Sequence, residues 1–177
     1  IHSRVLRLAM EMPDAAESER WLAAQVDRPV ALIKTALAIS GGNPGKALSL
    51  LEEDDLKARI DECERFVRML TDAPTYDLAA FSHKLAADRE RFAAFVRLLC
   101  LYLRDVLVYR TTRGQGELIF VDAITRNARS FTGLNLHNLP DVITRLQELS
   151  VLATQPFSIL LIETRLVTLC ISKLVRQ

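Results

Sequence analysis

Apolar residues recur at three- and four-residue spacing along nearly the whole chain, the period that paints one stripe on a helix. Strand-like alternation is confined to a short piece around Leu118 to Val121, so the pattern predicts an all-α chain. Pro13 and Asp14 open a short helix carrying Trp21 and Leu22. Pro29 suits the first turn of the next helix, on which Ile33, Ala36 and Leu37 share a face and which stops at Gly41-Gly42. Asn43 then serves as an N-cap and Pro44 as the first residue of a third helix with Leu48 and Leu51 on its apolar edge. Four carboxylates follow, Glu52 to Asp55, and mark a hinge because such a run is more comfortable solvated than packed.

Beyond the hinge, Leu56 to Leu70 reads as a helix with Ile60, Cys63, Phe66, Val67 and Leu70 on one face, broken at Asp72-Ala73-Pro74. Tyr76 to Leu85 is a shorter one. Asp88 can cap a long helix carrying Phe92, Phe95, Val96, Leu99, Leu103, Val106 and Leu107 and ending with Arg110 and Arg113 before Gly114. Leu98, Leu101, Tyr102 and Val108 occupy its other side, leaving a thin polar strip around Arg97 and Arg104, so this helix should be central and contacted on several sides. The loop Gly114 to Glu117 leads to a helix near Asp122. His137 or Asn138 precedes another through Leu139, Val142, Ile143, Leu146 and Leu149, and Gln155-Pro156 opens the last, from Phe157 to Leu174.

Composition adds one feature to this picture. Of the 177 residues, 50% are apolar but only 6% aromatic, and the mean hydropathy is +0.14, so the apolar content is mostly Leu, Ala, Val and Ile. That is more aliphatic surface than a small monomer exposes comfortably. A membrane span is not the cause: the most apolar windows, Phe157 to Val175 and Phe92 to Tyr109, hold Glu163, Arg165 and Lys173, and Arg97, Arg104 and Asp105, each costly at mid-bilayer. Ile1 to Glu11 carry charge throughout and show no secretory core, which leaves a cytoplasmic location as the expectation. With 23 basic against 22 acidic side chains, net charge names no partner.

Candidate chemistry is sparse. Cys63, Cys100 and Cys170 fall far apart on helical apolar stripes, and His2, His83 and His137 are as scattered, so buried thiols are expected rather than a disulfide or a zinc site. No phosphate loop, nucleophile elbow or HExxH helix is present. Acidic residues pair with bases at helical spacing, as Asp61 with Arg65 and Glu64 with Arg68. Arg89 and Arg91, and Arg110 and Arg113, flank opposite ends of the long helix without interleaved aromatics for base stacking. The segment of unusual composition is Ala38 to Leu51, with Gly41-Gly42-Asn43-Pro44-Gly45-Lys46 at its centre; a bare helical hairpin would suffice to explain it.

That segment resembles the lid-domain signature of the delta-prime subunits of the bacterial DNA polymerase III clamp loader. Glu19-Arg20-Trp21-Leu22 resembles an upstream helix of the same lid. Leu103-Arg104-Asp105-Val106-Leu107 resembles a stretch of the family's collar helix, Val121-Asp122 the residues after its loop, and Gln155-Pro156-Phe157-Ser158-Ile159-Leu160-Leu161-Ile162-Glu163 the opening of its final helix. The pieces follow one another in the family's order and span almost the whole chain. Asn43 stands where Ser is usual, and Gln155 where Asn is usual, a poorer N-cap. In the family's ATP-hydrolysing sister subunits the matching helix start carries an Arg that senses nucleotide phosphate; Gly45 takes that Arg's place and Lys46 that of the following Asp.

The resemblance implies an AAA+ lid over residues 1–53 and a helical collar over 54–177, the two parts left when the nucleotide-binding core of such a subunit is not included. It implies a stator without nucleotide turnover, with no catalytic residue, cofactor or metal. Partners would be the motor and clamp-opening subunits of the loader, met through the collar, with DNA touched only indirectly. Gly42, Asn43, Pro44, Gly45 and Lys46 would form a degenerate second sensor, and Arg104, Asp105, Asp122, Gln155 and Glu163 would be collar interface candidates. The aliphatic surplus on the long helix and the last helix would become inter-subunit core. The competing readings are the lid and collar of an ATP-hydrolysing loader subunit, and an unrelated helical adaptor or nucleic-acid-binding bundle.

Overall fold

The computed structural model describes residues 13–52, 56–156 and 158–175. Ile1 to Glu11 with His2, the hinge residues Glu53 to Asp55, and Phe157 lie outside the described residues. The described residues form nine α-helices, and the chain divides into two compact units, Ile1–Asp54 and Asp55–Gln177.

The first unit is a bundle of α1 (Ala15–Gln25), α2 (Val30–Ile39) and α3 (Pro44–Glu52). Asp14 caps α1 by accepting a hydrogen bond from the Glu17 N–H at 2.6 Å. Asn43 does the same for α3, its Oδ1 accepting from the Lys46 N–H at 3.0 Å, with Pro44 in the first helical position. Between α2 and α3 the chain reverses through Gly41 (φ 66°) and Gly42 (φ 83°), a left-handed pair that a side chain would strain. The Gly42 N–H reaches back to the Leu37 carbonyl at 2.8 Å and closes the helix end. Leu22, Ile33, Ala36, Leu37, Ala47 and Leu51 fill the core. On α3 the inward pair is thus Ala47 with Leu51, one turn apart; Leu48, expected on the apolar edge, is only half-buried.

The second unit holds α4 (Leu56–Asp72), α5 (Thr75–Ala86), α6 (Arg89–Thr111), α7 (Val121–Arg126), α8 (Leu139–Ala153) and α9 (Ile159–Leu174). Asp88 caps α6 from the Glu90 and Arg91 N–H groups, both at 3.0 Å. This helix is the axis of the unit: α8 packs along it, and α4, α5 and α7 cover its other sides. Phe92, Leu99, Leu103 and Val106 are buried on one side, Leu98 and Tyr102 on the other. Most of its apolar excess is therefore spent inside its own unit, with Leu101, Leu107 and Val108 left half-buried. Phe66, Phe81 and Phe95, with ring centroids 5.6–5.7 Å apart, join α4, α5 and α6. α9 packs on α8, α5 and α4. At its C-terminal end, the Leu174 carbonyl accepts from the Asn135 N–H at 2.6 Å and the Lys173 carbonyl from Asn138 Nδ2 at 2.9 Å, so two carbonyls with no intrahelical partner are satisfied.

Leu118 to Phe120 lead into α7 without forming a strand, in keeping with the all-α reading, and the β pairing among the described residues is a single bridge, Leu134 with Val175. Two expectations are corrected. Gln155-Pro156 does not open the last helix, which starts at Ile159, because the end of α8 continues into a turn in which the Gln155 N–H bonds to the Leu152 carbonyl at 3.0 Å. Glu64 pairs not along its own helix with Arg68 but with Arg126 of α7, Nη2 to Oε2 2.8 Å. The sequence separation of that pair hides it, while the position of Glu64 on the stripe of Ile60 and Val67 turns the carboxylate inward.

Candidate functional site

The residues singled out by the sequence fall in three places. The first is the α2–α3 turn. Gly42 supplies the left-handed φ, Asn43 the cap and Pro44 the helix start, so each has a local structural task. Gly45 and Lys46 do not: both are exposed, and a Cβ on Gly45 would meet Asn43 Oδ1 at 3.5 Å, an ordinary contact. The fold would accept a side chain at position 45. What the turn presents is a helix start with one lysine ammonium beside it and no side chain at the position that matches the sensor Arg.

The second place is the C-terminal half of α6. Asp105 is completely buried. Its Oδ2 accepts from the Ile119 N–H at 2.6 Å and the Phe120 N–H at 2.8 Å, and its Oδ1 from Arg104 Nη1 at 2.7 Å. Arg104 also donates to the Glu117 carbonyl at 3.1 Å. Together they pin the chain entering α7 to the long helix, one carboxylate satisfying N–H groups just ahead of the α7 start. Asp122 sits exposed in the first turn of α7, where its charge complements the helix dipole. Asp105 thus cannot meet a partner, which corrects its reading as an interface residue: burial and three hydrogen bonds commit it to the fold.

The third place is the corner between α8 and α9. Arg89 Nη1 donates to the Gln155 carbonyl at 2.8 Å and lies 3.4 Å from that of Ala153, so it is the guanidinium of Arg89, and not the Gln155 side chain, that secures this turn. Glu163, also buried, accepts from His83 Nδ1 at 3.0 Å and ties α9 to α5. It too faces inward instead of offering its carboxylate to a partner. The outward surface belongs instead to Val151, 59% exposed, and to the aliphatic residues of the same motif, Leu160 at 67%, Leu161 at 50% and Ile159 at 36%. Beneath them a shallow pocket of about 10 Å³, lined by Ala86, Arg89, Phe92, Ala153, Ile159 and Ile162, has room for no more than a water. Arg89 and Arg104 are fifteen residues apart on α6, so the corner and the Asp105 cluster are about 22 Å apart along the helix and form no common site.

A buried polar cluster lies where α4, α6 and α7 meet. Burial alone would push the Glu64 carboxyl up, but hydrogen bonds from Arg126 and Asn127 and the Arg126 and Arg68 charges together bring it below its ordinary value. The hydrogen bond and charge of Glu64 push Arg126 further up. The Tyr102 hydroxyl beside them is buried without a hydrogen-bond partner, and the neighbouring Asn127 gives one N–H of its amide to the Ala123 carbonyl at 2.8 Å. Burial, followed by the Glu64 charge, raises the Tyr102 pKa. All three cysteines are free and buried. Burial raises Cys100 and Cys170 to about 12 and Cys63 well above its ordinary value, so the thiolate needed for nucleophilic work is suppressed. Among the described residues no group of three or more His, Cys, Asp and Glu is placed to hold a metal ion, and no helix is long and apolar enough to cross a membrane. The His83, Arg89 and Arg126 roles were missed because nothing local in the sequence announces a partner more than sixty residues away.

No protein-family model matches the chain and no curated protein matches its sequence.

Proposed function

We propose that this chain is the lid-and-collar part of a clamp-loader subunit of the stator type, a scaffold that holds motor subunits in a geometry from which a sliding clamp is opened. The observation that carries the reading is the ordered set of family-like pieces: Glu19 to Leu22 within α1, the Gly-Gly-Asn-Pro-Gly turn between α2 and α3, the Leu-Arg-Asp in the C-terminal half of α6, and Gln155 to Glu163 between α8 and α9. Gly45 favours the stator over an ATP-hydrolysing subunit, because an exposed position able to carry an arginine carries none. The mechanism is positional. Arg104, Asp105, Arg89 and Glu163 hold helices and turns together, and the aliphatic corner of Val151, Ile159, Leu160 and Leu161 is the surface offered to a neighbouring collar.

Covering the exposed parts of Leu160 and Leu161 contributes about 2–3 kcal/mol to such an association. Size-exclusion chromatography of the chain mixed with the motor and clamp-opening subunits of a bacterial loader tests this. Co-elution is expected, and its loss in a Leu160→Glu, Leu161→Glu variant whose circular dichroism and melting are unchanged. Failure of the unaltered chain to enter any complex would overturn the proposal; a complex indifferent to the double variant would displace the interface from this corner.

A further inference from the structure

We draw no further inference here: the strongest candidate, the exposed apolar patch at the α8–α9 corner formed by Val151, Leu160 and Leu161, belongs to the surface already proposed for assembly, and nothing in the structure shows what else covers it.

Discussion

Replacing Asp105 tests whether one buried carboxylate holds the entry to α7. In Asp105→Ala the Ile119 and Phe120 N–H groups lose their acceptor, and Phe120 is buried while Ile119 is half-buried. A buried donor left unpaired costs about 1–3 kcal/mol, so the pair together amounts to about 3–4 kcal/mol, the half-buried one recovering some of its loss from water. Loss of the Arg104 contact adds less than about 1 kcal/mol, because that guanidinium is substantially exposed. Asp105→Asn should cost less, about 1–2 kcal/mol, since its amide oxygen can still accept from the backbone while the NH2 faces Arg104, which is free to swing into solvent. Urea unfolding followed by thiol labelling reads this directly, because Cys63, Cys100 and Cys170 all lie in the second unit and are all buried. The chain has a single tryptophan, Trp21 of the first unit, and its fluorescence gives that unit's unfolding in the same sample. For a unit of this size the urea dependence is about 1.5 kcal/mol per molar, so the labelling midpoint should fall by about 2–3 M for Asp105→Ala. A shift below about 0.3 M, or an equal loss in Arg104→Ala, would refute the claim that the buried N–H groups, not the ion pair, dominate.

Other perturbations separate packing from electrostatics. Tyr102→Phe removes a buried hydroxyl with no partner and should leave stability unchanged or raise it by about 1 kcal/mol; a loss above 1 kcal/mol in thermal unfolding would mean that the hydroxyl is bonded. Gly116→Ala drives a methyl into Val108 Cγ1 and places it 3.0 Å from Thr112 Oγ1, and about 1–3 kcal/mol of destabilisation is expected. Gly45→Ala, with its nearest contact at 3.5 Å, should instead stabilise the first unit by up to about 1 kcal/mol, read from the Trp21 midpoint. Glu64 titrates lower when folded than its ordinary 4.5, so its contribution is present above about pH 4.5 and is lost as pH falls through that value towards the folded one. Arg126→Ala should flatten this acid slope in unfolding midpoints between pH 3 and 6, and an unchanged slope would assign the slope to other carboxylates.

The family-like pieces mix two kinds of residue. Gly42, Asn43, Pro44 and Asp105 are accounted for by turn, cap and buried hydrogen bonds alone, so their recurrence in a fold needs no function behind it. Position 45 carries no such structural requirement, which makes Gly45→Arg an informative substitution: the turn should tolerate it, and any effect on assembly or nucleotide response would then be functional rather than structural.

The sequence by itself determined the helices and most of their ends. Asp14, Asn43 and Asp88 cap where their spacing says they should, because capping and the three-to-four period are interactions within a single turn of chain. It also determined that the long helix is central, since apolar residues on nearly every side leave only a thin solvent-facing strip around Arg97 and Arg104. Only the tertiary structure decided which charges are spent inside. Glu64 with Arg126, His83 with Glu163, and Arg89 with the turn after α8 are contacts across more than sixty residues, and no local pattern encodes which distant side chain will face a given one. For the same reason it decided where the aliphatic surplus goes. Most of α6 is covered by α8, α4, α5 and α7, while the first turn of α9 leaves Leu160 and Leu161 in solvent.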